Sequence, residues 1–322
     1  MSDGRDLGVV VIGRNEGERL ARCFASLGRP AQLVYVDSGS TDGSVALARA
    51  RGISVVELDM DRPFTAARAR NAGLDRLDEL GAPSFVQFVD GDCEVNADWL
   101  QTGLSFLRAH PDVVAVAGRV RERFPEATIY NAQCDREWNT PVGETKAVGG
   151  IAMMRFAAVR AAGNFNPTLI AGEEPELCVR LRQAGGRIWR IEAEMVLHDA
   201  AMTRFSQYWK RSRRGGYAFA QGAFLHGAPP ERHWVAETRR ALLWGAILPA
   251  CIVGGAVILS PWALALAMIY PAQVLRIARR GEGLTFAALL TVGKFAEALG
   301  VLEFHLRRLI DRPSGLIEYR KS

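Results

Sequence analysis

Between Ala241 and Leu275 the chain runs for 35 residues without one Asp, Glu, Lys or Arg (ALLWGAILPACIVGGAVILSPWALALAMIYPAQVL). A single membrane-crossing helix takes about 20 apolar residues, so this run is too long for one and slightly tight for two. Ser260-Pro261 sits near its middle and is a natural turn. Arg239 and Arg240 precede the run, and Arg276, Arg279 and Arg280 follow it. Basic flanks at both ends place both ends in the cytosol, which fits a helical hairpin, transmembrane or re-entrant, over 241–275. A hydrophobic hairpin in the core of a soluble protein is the alternative. Leu284–Leu309 then mixes apolar stripes with Lys294, Glu297, Glu303, Arg307 and Arg308. That is the pattern of an amphipathic helix lying on a membrane surface, so 276–322 is expected to be an amphipathic C-terminal helix and tail.

Before residue 240 the pattern is different. LGVVVI (7–12), QLVYV (32–36), ISVVEL (53–58), SFVQFV (84–89) and VVAVAG (113–118) are short apolar runs bounded by polar or glycine-rich turns. Their length and β-branched content suit buried strands. Between them Glu16–Leu27, Ser44–Arg51, Ala67–Leu80 and Asp98–Arg108 carry helical spacing. Strands and helices in alternation predict an α/β fold, a mostly parallel sheet sandwiched by helices. From Arg119 to Ile170 the pattern weakens. Pro175–Ala184 reads as a helix opened by proline and closed by Gly185-Gly186, and Arg187–Ile191 as a strand leading to His198. The expected division is a catalytic domain over 1–203, a basic and aromatic membrane-interface segment over 204–240, and then the hairpin.

Composition excludes several classes. A formal charge of +5, from 40 basic and 35 acidic residues, is too small an excess to imply a nucleic-acid partner. Five cysteines, scattered and never spaced C-x-x-C, read as reduced thiols rather than a disulfide framework or zinc site. The opening MSDGRDLGVVVIG has no basic segment leading into a long apolar stretch, so no secretory leader is expected.

Ligands in open α/β sheets bind where the strands end. Asn15-Glu16 follow the first strand, Asp37 ends the second, and Asp90-Gly91-Asp92 end the fourth. A dinucleotide fold needs G-x-G-x-x-G after its first strand, and a P-loop needs G-x-x-x-x-G-K-[ST]; neither is present. A divalent cation held by carboxylates is the physical substitute for a glycine cradle around phosphates.

These segments occur in a telling order: Arg14-Asn15-Glu16, Asp37-Ser38-Gly39-Ser40-Thr41-Asp42, Ala69-Arg70-Asn71-Ala72-Gly73, Asp90-Gly91-Asp92, Gly149-Gly150, and Gly172-Glu173-Glu174-Pro175-Glu176-Leu177. From about Gly8 to about Gly222 the chain resembles a family 2 glycosyltransferase with the GT-A fold. The resemblance implies a nucleotide-sugar donor, a UDP-sugar before others, bound by Asn15, Glu16, Asp37, Ser38, Arg70, Asn71, Asp90 and Gly91. It implies Mn²⁺ or Mg²⁺ on Asp92, with His198 completing the site. Gly149, Gly150 and Glu176 fall in the acceptor and donor-sugar region. The family's catalytic base is the second acid of an E-D pair, here Glu174, with Glu173 or Glu176 as alternatives. Glutamate in place of aspartate moves the carboxylate by about one bond length, roughly 1.5 Å, and calls for an acceptor pocket that differs to match.

Arg204–Arg214 (RFSQYWKRSRR) interleaves cations with Phe205, Tyr208 and Trp209 just ahead of the apolar run. Lys210, Arg211, Arg213 and Arg214 are expected to contact anionic membrane lipid or the phosphate of a lipid-linked acceptor. Gln207-Tyr208-Trp209-Lys210-Arg211 lacks the terminal R-W of processive synthases, so transfer of a single sugar is expected. The whole predicts an inverting, metal-dependent transferase at the cytosolic face of the cytoplasmic membrane, in polysaccharide or glycolipid assembly. A polyisoprenyl-phosphate glycosyltransferase and a non-catalytic assembly scaffold are the competing readings.

Overall fold

The computed structural model of the chain describes residues 6–28 and 30–310. It divides into two units. The first comprises the chain up to Pro125 with Cys134–Leu169 and Glu173–Ala201; the second comprises Glu126–Gln133, Ile170–Gly172 and the chain from Met202 onward.

The first unit is built on a mixed sheet. Its strands are β1 (Leu7–Gly13), β2 (Gln32–Asp37), β3 (Ser54–Glu57), β4 (Phe85–Asp90), β5 (Cys93–Val95), β6 (Val113–Glu122), β7 (Gly143–Glu144), β8 (Met153–Arg155) and β9 (Arg187–His198). Their order is β3-β2-β1-β4-β8-β6-β9-β5, with β7 on β9. β1 pairs in parallel with β2 and β4, β2 with β3, and β6 with β9. β8 enters antiparallel between β4 and β6, and β5 and β7 run antiparallel to β9. The sheet is therefore parallel on the β1 side and mixed beyond it, where short return strands fill the gap between parallel neighbours. Helices cover it: α1 (Glu18–Ser26), α2 (Ser44–Ala50), α3 (Ala66–Glu79), α4 (Trp99–Ala109) and, after α5 (Ile129–Trp138), which begins in the second unit and ends in the first, α6 (Phe156–Ala161) and α7 (Glu173–Gln183). Val9, Val10, Val11, Val34, Val36, Phe88 and Val89 form one core with Leu20, Leu74, Leu77 and Leu107.

Among the boundaries that differ from expectation, two have clear physical reasons. Helix α7 starts at Glu173, two residues before Pro175. First-turn N–H groups have no intrahelical acceptor, so proline there forfeits nothing. Strand β9 runs past Ile191 to His198, because β6 pairs along its whole length through register shifts and β5 takes its end.

The second unit is helical: α8 (Phe205–His226), then α9 (Val235–Ile258), α10 (Pro261–Gly281) and α11 (Leu284–Leu309). The last three are long and apolar enough to cross a membrane, with mean hydropathies of 2.2, 1.2 and 1.5. The break between α9 and α10 falls at Leu259-Ser260, one residue ahead of the expected Ser260-Pro261 turn, and Pro261 opens α10. The basic 205–214 stretch is the start of a packed helix. Glycines let α8 and α11 approach closely: a Cβ on Gly216 would lie 2.0 Å from the Glu297 carbonyl oxygen, and one on Gly300 2.0 Å from that of Arg213. The expected tail beyond Ile310 lies outside the described residues.

Candidate active site

Strand register builds one edge of the site. Gly13 of β1 stands opposite Asp37 of β2, and Ile12 stands opposite Asp90 of β4. Three parallel strands thus bring the Asn15 turn, Asp37 and Asp90 to one end of the sheet. Asp37 is buried and accepts from the Gly39 and Ser40 amides, at 2.9 and 2.8 Å, and from the Tyr35 hydroxyl at 2.8 Å. It holds the Ser40 loop in shape, while Ser38 donates its amide to Gly13. Asn15 has a positive φ of 55° and is stitched to the same loop: its amide donates to Ser40 Oγ and its side-chain oxygen accepts from Thr41. Glu16 pairs with Arg19 at 2.8 Å and lies against Gly91, where a Cβ would come within 3.2 Å of its side chain.

Arg70 is the centre of the site. Thr65 caps α3 by accepting from the Arg68 amide. Gly73 lets that helix sit directly on β1, since a Cβ there would lie 2.3 Å from Val10. Arg70, one turn earlier, is thereby delivered to the strand ends. It is buried and forked, with one nitrogen 2.5 Å from Glu173 and another 3.0 Å from Asp90. Its guanidinium lies over the Phe165 ring at 5.6 Å, and Gly150 presses against it so closely that a Cβ would stand 2.5 Å from one nitrogen. Burial alone lowers the pKa of Arg70, and Asp90 and Glu173 more than reverse that. Desolvation by the surrounding protein pushes the Asp90 carboxyl up; Arg70 opposes that and Asp92 adds to it. Asn71 does not face this cluster: its amide exchanges two hydrogen bonds with the Phe165 backbone and holds that ring under Arg70.

A second pairing supplies the metal-type ligands. β5 and β9 set Cys93 opposite His198, and His198 Nε2 stands 3.3 Å from Asp92 Oδ2. Potential ligand atoms of Asp92, Cys93 and His198 all lie within 4.8 Å of one another. A carboxylate oxygen and an imidazole nitrogen, beside the further carboxylate of Asp90, fit a divalent cation, Mn²⁺ better than Mg²⁺. Trp138 packs edge-on against His198 at 4.6 Å. Glu122 is buried opposite His198 in register and accepts from the Ala200 and Phe124 amides, which fixes the chain just after His198. Sequence reading passed over both; the acid at the end of the VVAVAGRVRE strand was the available sign.

The three glutamates of α7 separate sharply. Glu176 is buried in a two-point pair with Arg180, at 2.9 and 2.7 Å, and serves the helix rather than the acceptor region. Glu173 belongs to Arg70. Glu174 is buried and accepts from the Val148 amide (3.0 Å), the Gly149 amide (2.9 Å) and the Cys178 thiol (2.8 Å). Burial outweighs those bonds and pushes its carboxyl up to about 7. Gly149, with φ 88°, and Gly150 make up the loop joining this carboxyl to Arg70. The cations of the 204–214 stretch lie in the second unit: Lys210 is exposed, Arg213 pairs with Glu303, and Arg214 donates to the Ile170 carbonyl.

Residues 8–163 match the family described as Glycosyl transferase family 2. The chain is 29% identical over 211 residues to the pre-mycofactocin glycosyltransferase of Mycobacterium tuberculosis, across 61% of this chain and 43% of that protein. It is 25% identical over 191 residues to glycosyltransferase AglE of Haloferax volcanii, across 55% and 61%. It is also 29% identical over 198 residues to the succinoglycan biosynthesis protein ExoA of Rhizobium meliloti, across 56% and 57%. The chain thus matches only about half the length of these curated relatives. Among solved structures, the mannosyltransferase PcManGT from Pyrobaculum calidifontis, in complex with GDP-Man and Mn²⁺, superposes with a TM-score of 0.62 at 22% identity, over 92% of this chain and 87% of that one. TarS of S. aureus in complex with UDP-GlcNAc superposes at 0.53 and 14% identity, over 95% and 92%. These likenesses show a GT-A-type fold, and residues 8–163 are the part of the chain that matches the family 2 glycosyltransferases.

Proposed function

We propose that the chain is a membrane-attached, divalent-metal-dependent, inverting glycosyltransferase. It moves one sugar from a nucleotide-sugar donor to a hydroxyl of a lipid-linked acceptor in polysaccharide or glycolipid assembly. The observation that carries this reading is that strand register brings Asp37 and Asp90 to one end of the sheet, where Asp90 pairs with the buried, forked Arg70 and Asp92 stands beside His198. Asp37, Asn15 and Glu16 line the place for base and ribose. Asp92 and His198 would hold the cation, whose charge stabilises the departing nucleoside diphosphate. Arg70 and Asp90 orient the diphosphate and the sugar it carries.

Glu174 serves as base. It takes the acceptor hydroxyl proton as that oxygen forms its bond to the anomeric carbon, and the bond from that carbon to the diphosphate oxygen breaks with its electron pair leaving on the phosphate. A carboxyl pushed up to about 7 is poised for that exchange near neutrality. An acceptor that is already an ionised phosphate would need no such group, so the reading favours a hydroxyl over a polyisoprenyl phosphate. The donor nucleotide is expected to be UDP. The neighbours in complex with GDP-Man and UDP-GlcNAc make GDP the other arm of the test. The apolar helices keep the domain at the cytosolic face of the cytoplasmic membrane, where lipid-linked acceptors are presented.

Calorimetric titration with UDP, GDP and CDP, with and without Mn²⁺, tests the donor side. One nucleotide should bind only with the ion, and Asp92→Ala should lose that binding. Equal affinity with and without metal, in both proteins, would remove the reading.

A further inference from the structure

The hairpin of the second unit has two zones. From Ala241 to Ile247 one face of the first limb packs on protein while Leu243 and Ile247 stay exposed: Ala241 is buried with Tyr217, Val301 and Phe304, and a Cβ on Gly245 would lie 2.1 Å from the Lys294 carbonyl oxygen of α11. The returning limb joins the same collar. The Tyr270 hydroxyl donates to the Trp244 carbonyl at 2.7 Å, and the Tyr270 ring packs on Phe295 at 5.3 Å. Close by on α11, Lys294 bonds Glu297 beside basic α8, a concentration of charge that hydrocarbon disfavours. Trp244 and Tyr270, facing each other at 6.0 Å, are the residue types that settle at headgroup level.

Beyond the collar, from Leu248 to Met268, the limbs pack on each other, with Gly255 against Ala263. Their outer surfaces are bare: Ile258, Leu259 and Trp262 are each at least 80% exposed. The helical segments on the turn side of the collar are of equal length. Leu248–Ile258 is an α-helix of 11 residues, which rises about 16 Å. Pro261–Met268 is a tighter helix of 8 residues that rises about 2 Å per residue, again about 16 Å. Hydrocarbon cores are about 30 Å thick, so the free limbs reach about halfway.

The turn is built for the same depth. The Leu259 and Ser260 amides both donate to the Gly255 carbonyl, at 2.9 and 3.1 Å, and the Ala263 amide donates to the Ser260 carbonyl at 2.9 Å. The Trp262 amide donates to Ser260 Oγ, and Pro261 has no N–H. All backbone donors from Leu259 to Ala263 are therefore satisfied within the hairpin. Hydrocarbon imposes that requirement on a turn, and headgroup water does not.

We infer that Leu248–Met268 is a one-leaflet insertion, which enters and leaves through the same membrane face and turns near the bilayer midplane among lipid acyl chains. The inference rests on the membrane attachment proposed above and goes beyond it by fixing depth. The test uses the full chain with Cys251, the exposed cysteine among the five, replaced by alanine. Leu259→Cys carries an environment-sensitive fluorophore, with Leu243→Cys as the collar control. Protein is added to phosphatidylcholine–phosphatidylglycerol vesicles containing lipids brominated at shallow or deep acyl positions. The Leu259→Cys probe should be quenched most by deep bromines, and the unlabelled thiol should resist a membrane-impermeant maleimide both outside and enclosed within the vesicles. At Leu243→Cys the maleimide should react from outside. Labelling of Leu259→Cys from within would show a full crossing and overturn the inference. Shallow quenching with labelling from outside would show a hairpin lying on the surface and overturn it equally. Protein that fails to float with the vesicles would remove membrane attachment itself, a result separable from any error in depth.

Discussion

The strand-end site of the first unit and the hairpin of the second are specified in opposite ways. At the strand ends position is fixed by presence: each acid has a partner, and the partners are placed by register and by one glycine, Gly73, that lets α3 lie on the sheet. In the hairpin position is fixed by absence, a length free of charge whose turn satisfies its own backbone donors. The first kind of specification is intolerant of small chemical changes and the second of added polarity. Changes to either region should therefore leave the other's property standing, which can be attacked from both sides.

The largest effect is expected at Glu174. Glu174→Gln should slow sugar transfer by about 10²–10⁴-fold, the range for loss of a general base, while metal-dependent nucleotide binding and flotation with vesicles persist. In the proposed reaction the carboxylate is the active form, and burial pushes that group up to about 7. Transfer should therefore rise tenfold per pH unit below that value and level off above it, in a kcat/KM profile measured at saturating metal. A flat profile with a fully active Glu174→Gln would move the proton transfer to Glu173.

Next comes Asp92→Ala, expected to weaken nucleotide binding in Mn²⁺ by about 100-fold, in line with the cost of losing a metal-site residue. Titration calorimetry reads it directly, and vesicle flotation should not change.

Packing follows. Gly73→Ala forces a Cβ to 2.3 Å from Val10 in the first unit, and Gly216→Ala forces one to 2.0 Å from a backbone oxygen in the second. Each should cost about 1–3 kcal/mol, seen as a lowered denaturation midpoint. If the two regions are as separate as their specification implies, only Gly73→Ala should also reduce nucleotide affinity. The smallest effect is Lys210→Ala on α8, expected to weaken binding to anionic vesicles by about fivefold in low salt and not at all in neutral ones.

Much of this was legible in the chain. Continuous apolar runs marked β1, β2 and β4, and the ordered motifs marked the acids at their ends. The absence of charge marked the hairpin and its turn. What escaped had physical reasons. β5 and β8 are three residues long, too short for any periodicity, yet β5 is what carries Asp92 to His198. The glutamates of α7 looked interchangeable in sequence, and only the fold sorts them, because their partners lie on α3, on the Val148–Gly149 loop and one helical turn onward. Leu284–Leu309 had the right bounds, but its apolar stripes gave no sign that glycine contacts would press it against α8.

Arg70 and Glu173 are 103 positions apart in the chain, and Arg70 also binds Asp90. One guanidinium thus ties the helix of the proposed acceptor side to the turn that would receive the donor. In the resting protein its two carboxylates already neutralise it, so an incoming diphosphate competes for a charge that is spoken for. Occupancy at one substrate would then be felt at the other through a single shared cation, and the order in which the two substrates arrive becomes a property of Arg70.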